Sequence, residues 1–347
     1  MHAQGALPIL GIVVPCYNEE EVLPETIVRL TRVLDRLVGE RLASPGSFML
    51  FVDDGSRDKT WELIESFRQS NPRVAGLKLA RNAGHQRALL AGLNRARLTA
   101  DCAISIDADL QDDPEAIREF MIKYSEGYDI VYGIRQSRAT DTAFKRGTAQ
   151  SFYKLMAKLG AKVEYNHADY RLMSRRALEQ LDRFKEVNLF LRGIVPMIGF
   201  KSTKVYFDRH ERFAGESKYP LKKMLSFAWD GITSLSVTPI RFVTLAGFAL
   251  FLISVLAALY SIIQKLAGNT VSGWTSLMLS IWFVGGIQLI SLGLIGEYIG
   301  KIYKEVKRRP LYIVETDLAA QSEASSRTEP NPTPDKTSRK VEQETLR

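Results

Sequence analysis

Two stretches without a charged side chain constrain this sequence more than any other feature. Phe242–Gln264 is built largely from Leu, Phe, Ile and Ala, and after Lys265 a second charge-free run reaches Gly296, with Trp274 and Trp282 in its first half. At 1.5 Å per residue the first run covers about 34 Å as a helix, enough for a hydrocarbon core of about 30 Å. The runs are too long and too free of charge for the core of a soluble protein, so they read as a transmembrane hairpin with spans at 242–264 and 274–297. The whole-chain mean hydropathy of −0.09 conceals them. Arg241 precedes the first span, Lys301, Lys304, Lys307, Arg308 and Arg309 follow the second, and the connection holds Lys265 alone. The positive-inside rule then places both termini in the cytoplasm.

Four segments follow: a globular domain over 1–218, interfacial amphipathic helices over 219–240, the hairpin over 241–300, and a basic juxtamembrane segment with a disordered cytosolic tail over 301–347. The 219–238 stretch mixes Lys222 and Lys223 with Leu, Met, Phe and Trp, as a helix lying on headgroups does. The start of the chain lacks the basic n-region of a signal peptide, so the globular part is expected in the cytoplasm. Only Cys16 and Cys102 occur, which excludes a disulfide scaffold and a Cys-rich zinc module. The net charge of +8 suits nucleic acid, anionic lipid headgroups and phosphorylated substrates alike, so it does not choose among them. A chain ended before Leu221 is expected to be soluble but poor with a long-chain lipid acceptor.

The first 215 residues alternate strand-like and helix-like stretches. Apolar runs at 10–14, 48–52, 74–79 and 102–106 each precede a helical pattern or a polar turn. This predicts an α/β architecture, a mostly parallel sheet covered on both faces, with the loops after the strands sharing one edge. Three of those loops are acidic: Pro15-Cys16-Tyr17-Asn18-Glu19, Val52-Asp53-Asp54-Gly55-Ser56 and Asp107-Ala108-Asp109-Leu110-Gln111. Carboxylates gathered on one edge repel unless a cation or a set of donors balances them. Asp107-x-Asp109-x-Gln111 offers three oxygen ligands of the type that Mg²⁺ or Mn²⁺ prefers. Asp112 where an EF-hand needs Gly excludes that loop. The same acids also suit the helix start at Asp113-Pro114, so spacing alone leaves both readings open. No G-x-G-x-x-G follows the first strand, and no P-loop or H-E-x-x-H occurs. His85 reads as local structure at a helix start, His167 as a spectator, and both cysteines as core.

The ordered set PCYNEEEVL, FVDDGSRDKT, LARNAGHQRALLAGL and DADLQDDPE resembles the inverting family 2 glycosyltransferases of the GT-A fold, whose sheet is Rossmann-like. ADYRLMSRRAL, ERFAGESKY, SVTPIRF and GLIGEYIGKIYKEVKRRP narrow the resemblance to the polyprenyl-phosphate glycosyltransferases, related to dolichyl-phosphate mannose synthases, and within them to bactoprenol glucosyltransferases of the GtrB type. It spans residues 8–314 in unbroken order.

The resemblance implies roles. Pro15, Tyr17, Glu19, Val52, Asp53 and Asp54 would line the uridine pocket, with Arg81 and Asn82 shaping the sugar-nucleotide site. Asp107 and Ala108 would meet the donor, Asp107, Asp109 and Gln111 would hold Mg²⁺ or Mn²⁺ on its diphosphate, and Asp109 and Asp169 would be the catalytic acids. Asp169 matches the acid near the acceptor; Arg135, Arg212 and Lys218 match positions that grip a lipid phosphate. The implied enzyme moves a hexose, best read as glucose from UDP-glucose, onto undecaprenyl phosphate at the cytoplasmic face of a bacterial inner membrane. Its lipid-linked product would pass to a flippase for O-antigen or other envelope modification. No nucleic-acid partner is expected. Other donors (GDP-mannose, a UDP-N-acetylhexosamine, a UDP-aminoarabinose derivative) stay open, as does an inactive nucleotide- or lipid-binding scaffold. The absence of Q-x-x-R-W argues against a processive synthase. Gly285, Gly286, Gly293 and Gly296 leave room for close helix packing, so a homo-oligomer, with a tetramer as the working size, also stays open.

Overall fold

The structure is a computed structural model that describes residues 6–135, 167–187, 190–208, 238–267 and 273–320. In chain order the elements are β1 (Leu10–Cys16), α1 (Leu23–Gly39), β2 (Phe48–Asp53), α2 (Thr60–Ser70), β3 (Val74–Leu79), α3 (His85–Ala96), β4 (Cys102–Ser105), α4 (Ala116–Ser125) and β5 (Ile130–Arg135). They continue with β6 (His167–Ser174), α5 (Arg175–Leu181), α6 (Leu191–Met197), β7 (Ser202–Phe207), α7 (Thr238–Leu266), α8 (Trp274–Val306) and β8 (Val314–Asp317).

The strands form one sheet in the order β7-β5-β6-β4-β1-β2-β3-β8. Strands β1 to β4 run parallel, and β6 and β8 are antiparallel to their neighbours. Central strands in such a sheet are covered on both faces, which is why β1 reads LGIVVPC without alternation and is buried throughout. On one face Leu23, Ile27, Leu30 and Leu34 of α1 pack with Ile64 of α2 and Phe120 of α4. On the other, α3 supplies Ala88, Leu89 and Leu93, joined by Leu178 and Ile194. Gly92 lets α3 settle directly on β1 and β2, because a β-carbon there would lie 2.4 Å from Val13 Cγ1 and 2.7 Å from Val52 Cγ2.

The expected mostly parallel sheet is present, with two differences. Pro15 does not end β1, which pairs with β2 as far as Cys16↔Asp53; β4 has by then stopped pairing with β1, at Val13↔Ser105. The larger correction concerns the segment read as basic juxtamembrane and disordered tail. Residues 314–317 are the edge strand β8, antiparallel to β3. Leu318 is buried against Gly76, and Arg95 holds Asp317 at 2.7 Å. This segment is short and polar, and it finds its partner some 240 residues back in the sequence, so local pattern gave no hint of it.

Helices α7 and α8 contain Pro239–Gln264 and Phe283–Val306, with mean hydropathies of 2.5 and 1.4, both long and apolar enough to cross a membrane. Phe242, Leu256 and Leu289 are among many large apolar side chains they expose, as lipid-facing helices do. Helix α8 continues nine residues past the expected end at 297. The interfacial segment expected over 219–240 lies outside the described residues up to position 237, and so does the tail from 321.

Candidate active site

The parallel order β3-β2-β1-β4 brings the loops after β1, β2 and β4 to one edge, beside the point where strand order reverses, the usual ligand crevice of such sheets. Antiparallel β6 enters from that same edge. With Ser105 paired to Arg171, Asp169 arrives near Asp107. Topology alone thus collects acids 53, 54, 107, 109 and 169, which are far apart in the chain.

The β1 and β2 loops are knitted by short-range bonds. Asn18 N–H donates to Ser56 Oγ at 3.0 Å, Arg57 N–H to Asn18 Oδ1 at 2.9 Å, and Glu19 N–H to Thr60 Oγ1 at 2.9 Å. Tyr17 stands exposed above this web, and Glu19 is half-buried. Pro15 and Val52 are ladder partners in the layer beneath the site rather than on its surface. Asp53 is enclosed: Oδ1 accepts from Ser56 N–H at 3.2 Å, while Oδ2 is buried without a partner. Burial pushes its carboxyl up, against those Ser56 bonds and the Lys78 charge.

Asp54 also has a structural task. Its two oxygens accept from the backbone N–H groups of Ala83 at 2.6 Å and Gly84 at 2.9 Å. Gly55, at φ +68°, lets the backbone of Arg81 and Asn82 pass directly over it. Both side chains are exposed at the rim. Asp54 therefore sets the loop, and the loop presents Arg81, Asn82 and His85.

In the Asp107–Asp112 loop alternate residues divide. Ala108, Leu110 and Asp112 are buried; Asp107, Asp109 and Gln111 are half-exposed on the other side. Thr26 Oγ1 donates to the Ala108 carbonyl at 2.8 Å, and Asp109 Oδ1 accepts from Gln111 N–H at 3.2 Å. Leu110 holds φ at +55°, a conformation that costs about 1–3 kcal/mol and persists where surroundings enforce it. Two carboxylates and an amide on one open side fit a hard divalent cation that keeps positions for other oxygens. Among the described residues no three His, Cys, Asp or Glu side chains close around a metal.

Asp169 is the best-partnered acid. Arg171 Nη2 meets Oδ1 at 2.5 Å, and Arg192 spans both oxygens, Nε to Oδ1 at 3.3 Å and Nη2 to Oδ2 at 3.1 Å. Burial alone would raise its pKa, but the Arg192 and Arg171 guanidiniums outweigh burial and hold it far below the ordinary carboxylate range. His85 Nε2 lies 3.5 Å from Asp107 Oδ1 and 3.9 Å from Asp169 Oδ2, so one imidazole touches both acids.

Arg135 is held by Asp112, with Nε 3.0 Å from Oδ1 and Nη2 3.3 Å from Oδ2. Burial pushes Asp112 up to about 6, although the Arg135 charge pulls the other way. Arg212 and Lys218 lie outside the described residues. Sequence reading passed over Arg171, Arg192 and Asp112, and read His85 as local. Their signals were present: Arg171 sits two residues from Asp169, the i, i+2 spacing of one strand face, and His85 follows the Gly84 turn at the functional edge.

A doubly covered α/β sheet, an acidic crevice at its carboxyl edge and two apolar helices define a class: an α/β protein with a membrane-competent C-terminal part. The sequence agrees. Residues 11–182 match the glycosyl transferase family 2, and residues 238–302 match the GtrB C-terminal hairpin. An uncharacterized glycosyltransferase of Bacillus subtilis (strain 168), YkoT, is 63% identical over 311 residues, 90% of this chain and 92% of its own. The bactoprenol glucosyl transferase of Shigella phage SfII is 42% identical over 307 residues, 88% of this chain and 97% of its own. Glucosyl-3-phosphoglycerate synthase from Mycobacterium tuberculosis, solved with Mn²⁺ and UDP-glucose, aligns over 66% of this chain and 78% of that one at 18% identity and a TM-score of 0.40, too distant to bear on the site. The chain belongs to glycosyltransferase family 2 and is a glycosyltransferase carrying the GtrB-type C-terminal hairpin.

Proposed function

We propose that the chain transfers glucose from UDP-glucose to undecaprenyl phosphate, with inversion at the anomeric carbon, at the cytoplasmic face of a bacterial inner membrane. The reading draws on relatives named bactoprenol glucosyl transferases and on one geometric observation: His85 touches Asp107 on the expected donor side and Asp169 on the expected acceptor side. In this reading the donor and acceptor sites share a wall, as a direct transfer requires.

In the proposed step an oxygen of the lipid phosphate attacks C1 of the glucose. The bond from C1 to the diphosphate oxygen breaks with its electron pair, UDP leaves, and the new glycosidic phosphate forms on the opposite face of the sugar. Asp107, Asp109 and Gln111 are the residues that would hold Mg²⁺ or Mn²⁺, which supplies charge stabilisation to the departing diphosphate. The unpaired Oδ2 of Asp53 is an acceptor suited to the imide N–H of uracil, and the exposed Tyr17 offers a ring to the base.

A phosphate monoester has a second pKa of about 6 and is already largely a dianion at neutral pH. It needs aim rather than deprotonation. Asp169, ionised and paired with two arginines, is a poor proton acceptor and a good anchor, so its proposed task is to orient Arg192 toward the acceptor. Arg135, Arg212 and Lys218 are the proposed further phosphate ligands.

The test is label transfer with the full chain in nanodiscs containing undecaprenyl phosphate. Labelled UDP- and GDP-sugars are offered with Mg²⁺ or Mn²⁺, and Asp109→Asn serves as the control. Label entering lipid from UDP-glucose and lost in the variant is the expected result. Transfer from a different sugar would replace the donor, and UDP binding without transfer from any donor would favour the scaffold.

A further inference from the structure

The acid–arginine cluster is tied to the second apolar helix by a chain of contacts that the reaction itself does not require. Glu305 is in the last turn of α8. Both its carboxylate oxygens accept from the backbone N–H of Val187, at 2.8 and 3.0 Å. The carbonyl of the same Val187 accepts from Arg87 of α3 at 3.4 Å. Four residues on, Leu191 N–H donates to Gln86 Oε1 at 3.1 Å, and its carbonyl accepts from Arg171 at 3.4 Å. The next residue is Arg192, on Asp169.

Beyond α8 the chain turns back onto α3. Tyr312 Oη accepts from Asn94 at 3.1 Å, and Asp317 accepts from Arg95 at 2.7 Å. The helix that begins with His85 is therefore fastened at its far end by residues that follow the hairpin. A side chain on a helix terminus that fixes one backbone amide acts at a distance here, because Val187 and Leu191 are both bonded to α3 and Leu191 adjoins Arg192.

We propose that Glu305 is a positioning residue: by holding the Val187 amide it sets the place of Arg192 and Asp169, so that the hairpin and the catalytic cluster move as one body. Only the kinetic half of this inference rests on the transfer reaction proposed above.

The test compares Glu305→Ala, which removes the acceptor, with Glu305→Gln, which keeps an amide oxygen to receive the N–H. Both are made in the full chain in nanodiscs. Hydrogen exchange is read over 182–195, with 60–79 as the internal reference. Glu305→Ala is expected to speed exchange over 182–195 alone, and Glu305→Gln to restore most of the protection. In the transfer assay Glu305→Ala is expected to lower kcat by about tenfold at an unchanged donor KM, a loss of about 1.4 kcal/mol in transition-state stabilisation. Exchange over 182–195 unchanged in Glu305→Ala would overturn the proposal. So would a kinetic loss confined to donor KM, or a failure of Glu305→Gln to restore protection. Should exchange respond as expected in a chain that moves no sugar to lipid phosphate, the coupling stands and the proposed reaction falls.

Discussion

Gly55 lies directly beneath the backbone of Arg81: a β-carbon on Gly55 would stand 2.8 Å from the Arg81 carbonyl carbon and equally close to Asn82 N. Both obstacles are main chain, and the φ of +68° is itself unfavourable for any other residue. Gly55→Ala is therefore expected to displace the 81–84 loop that Asp54 holds. Strain of about 1–3 kcal/mol is expected, read as about a tenfold rise in donor KM with acceptor KM unchanged. Steady-state transfer with each substrate varied in turn checks this, and equal changes in both constants would refute it.

Asp169→Asn removes the charge that two guanidiniums share. The native group is ionised throughout the working range, so the variant is expected to lose about 10²-fold in kcat evenly from pH 6 to 9. Recovery at high pH would show a general base instead. The lowered pKa also fixes a sign for stability. The native carboxylate stabilises the fold above its unfolded pKa of about 3.9, and the contribution fades as pH falls below it. At pH 7 the variant leaves Arg171 buried with less compensation, a loss of about 3–5 kcal/mol visible as a lower Tm.

Asp112 has the opposite sign. Its carboxyl, pushed up to about 6 by burial, takes a proton in the folded state before it does so in the unfolded chain. Its contribution to stability therefore declines as pH rises from about 4 to about 6. Asp112→Asn is expected to flatten the Tm-against-pH curve in that interval, while Arg135→Met, which removes the opposing charge, carries the decline to higher pH. Parallel curves for the native chain and Asp112→Asn would contradict the assignment.

Ending the chain before Leu221 takes away β8 and Leu318 together with the hairpin. The bare edge of β3, with Trp61 and Ile64 uncovered around Gly76, makes such a fragment prone to aggregate rather than soluble, the reverse of the sequence-based expectation. Joining residues 311–320 to that fragment through a flexible linker is expected to restore a monomeric peak in size-exclusion chromatography. An equally monodisperse fragment without them would show that β8 is dispensable.

The parts of the fold that were legible in sequence are those written locally. The apolar runs of β1 to β4 are short, continuous and bounded by turn residues, and the charge-free helices announce themselves by length. The strand-end acids followed, because parallel topology sends every such loop to one edge. What was not legible depends on pairs distant in the chain. Asp54 looked like a ligand residue, and only the fold shows its oxygens on Ala83 and Gly84. His85 looked local because its neighbours, Asp107 and Asp169, come from two other strands. Arg135 carried no sign of its partner, and only the fold shows Asp112 beside it. Strand β8 had no period of its own to read; its register comes from β3.

The position of β8 in the chain also fixes an order in time. A ribosome releases the first seven strands, then both apolar helices, and the residues that close the sheet come after them. For the whole of that interval the globular unit has an open flank that a chaperone or protease can inspect. A newly made copy whose helices go astray cannot easily deliver its last strand, so the sheet is completed only in chains whose apolar segments have found a home.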